Sequence, residues 1–219
     1  NEEFISAPHL DDLQCAYSAL QGFLQGHNSK NINVMVCYDN EEVGSGTKQG
    51  AGSTFLHDVL HRINTALGKP EEAYYRALAN SFMLSADNAH AVHPNHPEKT
   101  DATNCVYMNE GIVVKSHAGQ KYTSDAVSIA IFRKICEEAG VPVQFFSNRS
   151  DMAGGSTLGN ISSTKVAMNA VDIGLPQLAM HSSYETAGVK DTFYMVKAME
   201  MFYRTTLSEV SEGAWNIDV

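Results

Sequence analysis

An α/β fold, with a sheet sandwiched between helical layers, is what this sequence predicts, and three observations carry the prediction. Short β-branched apolar runs recur at Val34–Cys37, Phe82–Ser85, Ile112–Val114, Val143–Phe146 and Val171–Ile173. Helix-period stripes separate them. Carboxylates and a histidine stand where several of the runs stop, which is where ligands gather in open α/β sheets.

Taken in order, Leu13, Ala16, Tyr17, Leu20 and Leu24 form the first helical stripe, directly after Asp11 and Asp12. Val34–Cys37 reads as a strand that ends in Asp39, Asn40, Glu41 and Glu42, followed by a glycine-rich turn. Ala89–Asn104, rich in His, Pro and Asn, reads as a long loop, and long loops inside compact domains are often functional. Val127, Ala130, Ile131 and Ile135 form a second helix, with Thr123 or Ser124 as its expected cap. A final helix carries Val189, Phe193, Val196, Met199 and Tyr203 on one side. The tail from Ser208 shows little pattern, and Trp215 is its one candidate for docking.

Composition narrows the function. With 219 residues and 43% hydrophobic residues, the chain can bury a real core as one domain. A net charge of −10 argues against nucleic acid or an anionic membrane as a partner. No apolar run reaches the ~20 residues of a membrane span. Four cysteines are scattered without a CxxC pair, which favours reduced thiols, with Cys15 and Cys37 buried, and a cytoplasmic setting. The chain opens at Asn1 in the middle of a pattern and is expected to be a piece of a longer protein.

Several local motifs are better read as structure. Gly44–Gly50 approaches a dinucleotide fingerprint, but Asp39–Glu42 would repel the phosphate that such a loop holds. Asp151–Asn160 lacks the lysine and spacing of a P-loop. His57 and His61 imitate a zinc helix with Asp58 in place of the glutamate, and a solvated helix face explains them better. His90, His93 and His96 recur every three residues in the long loop without a decisive partner.

The distributed set is more informative. Asp11 and Asp12, Glu41 and Glu42, Asp87 and His181 each fall at an expected strand end. Carboxylates brought together there keep their charge only beside a cation. Oxygen ligands plus imidazole suit zinc, manganese or cobalt. The inventory matches a two-metal site with a spare carboxylate as base, one histidine short.

With these residues in view, the sequence resembles the aspartyl aminopeptidase family of co-catalytic zinc metallopeptidases. The resemblance lies in FISAPHLDDL, YDNEEVGSGTKQGAGS, LSADNAHAVHPN, VVKSHAGQKYTSDA, DMAGGSTLGNISS and DIGLPQLAMHS, which occur in family order. It implies a three-layer αβα sandwich around a mixed, mostly parallel sheet of the zinc-peptidase kind. It also implies two divalent ions, zinc with cobalt or manganese as alternatives, with Asp11 bridging them, Glu42 and His181 on one, Asp87 on the other, and Glu41 as general base. Lys115, Tyr122, Gly154, Gly155 and Ser156 would lie on the substrate side. His9 and Asp12 depart from the family's Arg and Asn, which leaves Asp11 and Asp12 both open as the bridge. Residues 1–219 would form the C-terminal portion of the catalytic domain, without the upstream segment and dimerisation domain. The expected activity is removal of N-terminal, acidic residues from peptides with a free N-terminus, in a homo-oligomer, by analogy a dodecamer. A carboxypeptidase or deacylase with the same metals, or a non-catalytic structural or cargo-binding homologue, are the alternatives.

Overall fold

The computed structural model describes residues 2–219. Strand β1 (Phe4–Ala7) leads into helix α1 (Leu10–Gln25). Helices α2 (Phe55–Ala66) and α3 (Glu71–Ala79) precede strands β2 (Phe82–Ala86) and β3 (Ala89–His90). Strand β4 (Ile112–Ser116), helix α4 (Ala126–Ala139), strand β5 (Val143–Ser147) and helix α5 (Leu158–Ser163) follow. Strands β6 (Asn169–Gly174), β7 (Pro176–Leu178) and β8 (Glu185–Gly188) lead into helix α6 (Val189–Arg204) and the hairpin β9 (Thr206–Ser211) and β10 (Ala214–Asp218).

Two four-stranded sheets organise the chain, in the orders β2-β6-β4-β5 and β1-β8-β7-β3. In the first, β2 with β6 and β4 with β5 are parallel, while β4 and β6 run antiparallel, so the sheet is mixed and mostly parallel. Its strands are apolar on both faces, as a covered sheet requires: Ile112, Val113, Val114, Val171 and Ile173 are all fully buried. Phe132, Ile135 and Cys136 of α4 and Met195, Ala198 and Met199 of α6 complete the core.

Helix α1 meets α6 through small residues rather than through its leucines. Cys15, Ser18 and Gly22 are buried, whereas Leu13 and Leu24 are 65% and 68% exposed. Close approach is the reason. A Cβ at Gly22 would overlap the Met199 side chain and come within 2.8 Å of the Glu200 backbone nitrogen, and one at Gly26 would come within 2.5 Å of the Tyr203 Cβ. The expected leucine stripe is therefore corrected: it forms the outer side of α1. On α6, Met199 and Tyr203 of the expected face are buried, together with Asp191 and Met195, whereas Val189 and Phe193 are exposed.

Four other expectations change. Val34–Cys37 forms no ladder. The segment is held by side chains at the end of α6, with Asn33 donating to the Tyr203 carbonyl at 2.9 Å and the Tyr203 hydroxyl donating to the Val34 carbonyl at 3.1 Å. A cavity of about 750 Å³ opens among Val34, Cys37, Ala16, Leu84 and Phe202, so Cys37 is exposed and not buried as its apolar neighbours predict. The cap of α4 is Asp125, in a reciprocal capping box with Ser128. Thr123 and Ser124 instead bond Asp172. The tail is ordered as a hairpin, with Trp215 set against Phe82 at a ring-centroid distance of 6.3 Å. All four cysteines are free, and no helix among the described residues is long and apolar enough to cross a membrane.

The α1–α6 contact makes a direct test. Gly22→Ala is expected to destabilise the fold by about 1–3 kcal/mol through overpacking. Urea unfolding should show a lower midpoint at an unchanged m-value.

Candidate metal centre

Four turns deliver the site. Asp11 lies in the first turn of α1, where it and Asp12 depart from helical φ/ψ, so the chain kinks as it leaves β1. Glu41 and Glu42 belong to the irregular segment after Tyr38. Asp87 follows β2 directly, and His181 lies in the turn between β7 and β8.

These turns converge. His181 Nε2 stands 2.7 Å from Glu42 Oε1 and 3.2 Å from Asp11 Oδ2. Asp11, Glu42 and His181 bring one ligand atom each within 4.8 Å of one another, and Asp11, Asp12 and Asp87 do the same. Asp11 is common to both groups. Asp12, left open as an alternative by the sequence, belongs only to the second, and its surroundings are buried.

The charge balance explains why such a cluster calls for a cation. Burial raises the Asp11 carboxyl to about 7, helped by Asp87 and Glu42 and opposed by His181. Burial, then Asp87 and Glu42, likewise raise Glu41 to about 7. Asp12 is pushed well up by burial and by Asp87. For His181, burial lowers the pKa, but Glu42, Asp11 and Glu185 outweigh it and the net direction is upward. Asp11 Oδ1 and Asp12 Oδ1 are buried without a hydrogen-bond partner. Orphaned carboxylate oxygens beside an imidazole are the donor set of a divalent metal, so the residues present fit zinc.

Lys115 supplies the fixed positive charge. Its side chain is 4% exposed, and its ammonium donates to Asp87 Oδ2 at 3.1 Å and to the Asn88 carbonyl at 2.7 Å. The ammonium also lies 5.8 Å from the centre of the Tyr122 ring. Tyr122 is buried and donates through its hydroxyl to Asn148 Oδ1 at 3.2 Å. Gly154 packs against Asn148, where any side chain would collide, and its carbonyl accepts from Lys121 Nζ at 2.7 Å. Gly155 is open, and Ser156 donates to the Lys121 carbonyl at 3.3 Å.

Two functional-looking carboxylates escaped the sequence reading because neither stands at a recognisable spacing. Asp172, fully buried on β6, accepts from Thr123 N and Thr123 Oγ1 through one oxygen and from Thr157 Oγ1 through the other. It ties the loop that carries Tyr122 to the glycine-rich loop. Glu185, 2% exposed, accepts from the backbone of Asp11 and of His181. His57 and His61, in contrast, stack 6.1 Å apart on α2, edge-on to Tyr74, and sit as packed aromatic rings. His93 and His96 form a similar pair in the long loop, 5.3 Å apart.

The fold and site together are those of an α/β protein whose strand-end turns bring together carboxylates and a histidine able to hold a metal ion. Residues 1–203 match the profile of the aminopeptidase I zinc metalloprotease (M18) family, and the chain belongs to that family. It is similar to the probable M18 family aminopeptidase 2 of Clostridium acetobutylicum, at 51% identity over 203 residues, 93% of this chain and 47% of that protein. Among solved structures, it superposes on an M18 family aminopeptidase from Thermotoga maritima with a TM-score of 0.84 at 29% identity, covering 92% of this chain and 46% of that one. The mApe1 dodecamer of S. cerevisiae gives a TM-score of 0.79 at 30% identity, with coverage of 92% and 46%. The chain thus spans about half the length of the curated relatives it matches.

The raised pKa values set a sign for stability. Asp11 and Glu41 hold protons more tightly folded than unfolded, so they favour the folded state at low pH, and that contribution is lost as pH rises from about 4 through about 7. His181, also raised, acts in the same direction just above its ordinary range, while His90, lowered by burial, opposes it. In chelator, wild type is expected to melt lower at pH 8 than at pH 5.5, with a smaller difference in Glu41→Gln. Added zinc should recover more stability at pH 8.

Proposed function

We propose that this chain carries metal-binding and proton-handling groups of a zinc aminopeptidase that removes N-terminal, preferentially acidic residues from peptides. The observation that carries the reading is the convergence of Asp11, Glu42 and His181 on one point, with Asp11 shared by the Asp12–Asp87 group. In this reading Asp11 would be shared by two divalent ions, with Glu42 and His181 holding one and Asp87 the other. The chain forms the C-terminal portion of the catalytic domain, and family membership favours zinc over cobalt or manganese. When bound, zinc supplies Lewis acidity, polarising a carbonyl and making water nucleophilic near neutral pH.

Glu41 is the proposed general base. Its neighbour Glu42 faces His181, which leaves Glu41 free to handle protons, and its pKa of about 7 suits transfer near neutral pH. It would take a proton from the attacking water and return it to the leaving amine. Tyr122 and the loop of Gly154, Gly155 and Ser156 form the substrate side, fixed through Asn148, Lys121 and Asp172.

Acidic preference rests on Lys115. Its ammonium is bonded to Asp87, so a substrate carboxylate would have to share or displace that contact. We further propose a homo-oligomer, on the likeness to a dodecameric relative, and a cytoplasmic setting, which the free cysteines support.

Hydrolysis of aspartyl, glutamyl and leucyl anilides, free and N-acetylated, with and without chelator, tests the reading. Free-amine acidic substrates should be cut fastest, acetylation and chelator should stop the reaction, and Lys115→Met should narrow the gap to leucine. Glu41→Gln should retain zinc and lose at least about 10²-fold in kcat. Equal release of the aniline from acetylated and free-amine substrates would overturn the aminopeptidase reading.

A further inference from the structure

We infer that Glu185 is the positioning residue that sets the spacing of Asp11 and His181, an inference that rests on the metal-centre reading above. Its carboxylate is 2% exposed and both oxygens are committed to backbone. Oε2 accepts from the Asp11 N–H at 2.9 Å, and Oε1 accepts from the His181 N–H at 2.7 Å. One rigid, planar group thereby joins two turns that lie at opposite ends of the chain.

The topology makes this possible. Strand β8 lies between β1 and β7, and Glu185 is its first residue, paired with Ala7 at the end of β1. On one side the chain leaves β1 for α1 and presents Asp11. On the other it leaves β7 and presents His181. Each ligand sits on backbone that needs an outside partner. The N–H of Asp11 belongs to the first turn of a helix, where no intrahelical acceptor exists. His181 has a φ of 65°, in the left-handed region that non-glycine residues enter uncommonly.

Glu185 is not one of the ligand residues in this arrangement: it lies outside the group formed by Asp11, Glu42 and His181, and each of its oxygens accepts a backbone N–H. Its role is to fix where those ligand atoms sit. Ligand-orienting partners of this kind change metal affinity by about 10- to 100-fold when altered. A glutamine at this position keeps one acceptor and turns an NH₂ toward the other backbone N–H, so one arm of the clamp is lost.

A control exists in the same molecule. Asp191 is equally buried and also accepts from two backbone amides, those of Asn109 at 2.6 Å and Gly111 at 3.1 Å, but it touches neither ligand. Zinc affinity of the full chain, measured by chelator competition for wild type, Glu185→Gln and Asp191→Asn, separates positioning from general support. Glu185→Gln should bind the same number of ions about 10- to 100-fold more weakly. Asp191→Asn should lose thermal stability and keep wild-type affinity below its melting range. Amide hydrogen exchange supplies a metal-free readout: the N–H groups of Asp11 and His181 should both exchange faster in Glu185→Gln. Should that variant not fold, Glu185→Asp, which keeps the charge but is one methylene too short to reach both amides, carries the same measurements.

Unchanged zinc affinity in Glu185→Gln, or an equal loss in Asp191→Asn, overturns the inference. If wild type binds no zinc, the metal-centre reading falls, and the proposed effect on metal affinity falls with it. The exchange rates of the two amides then report only whether the clamp itself exists.

Discussion

Repulsion among carboxylates is the constraint on which the rest of this structure depends. Asp11, Asp12, Asp87, Glu41 and Glu42 approach one another around the basic groups His181, Lys115 and His90. At a separation of 4 Å and an effective dielectric of about 20, each like-charged pair costs roughly 4 kcal/mol. No local segment would choose this arrangement. It is imposed by the buried sheet of β2, β4, β5 and β6, and by α1 held against α6. Lys115 is spent inside that framework, where Asp87 and the Asn88 carbonyl hold it. The remaining negative charge is of the kind that favours a bound cation.

Much of this was legible in the sequence, for identifiable reasons. β4 and β6 are short β-branched runs buried on both faces, and β2 and β5 are short apolar runs beside them; such strands announce themselves by composition. Asp11, Asp87 and His181 follow from the rule that ligands collect at strand ends. Glu41 and Glu42 do so only partly, because the run before them makes no ladder. Periodicity records how apolar a segment is and not whether a neighbouring strand stands beside it. The α1 stripe misleads for a related reason. Hydrophobicity ranks leucine above glycine, yet the Gly22–Gly26 spacing lets two helices touch and so decides which face turns inward.

The supporting residues were hidden in a different way. Asp172 and Glu185 are buried carboxylates that accept from backbone or hydroxyl groups far away in sequence. Their partners are set by topology, so no window of neighbouring residues reveals them. The cap of α4 shows the same competition: Thr123 and Ser124 have suitable hydroxyls, but Asp172 engages both, and Asp125 takes the helix terminus. A side chain's chemistry is visible in the sequence, whereas its assignment among several acceptors is decided by packing.

The pairing of β1 with β8 has a consequence for biosynthesis. Phe4–Ala7 finds its partner in Glu185–Gly188, so β1 must wait for a strand synthesised much later in the chain. On the ribosome, where synthesis proceeds at about 5–20 residues per second, that delay is on the order of 10–40 s. During it, Asp11 and Asp12 have neither the His181 imidazole nor the Glu185 carboxylate beside them. Convergence of Asp11 with His181 and Glu185 therefore waits until β8 has been made.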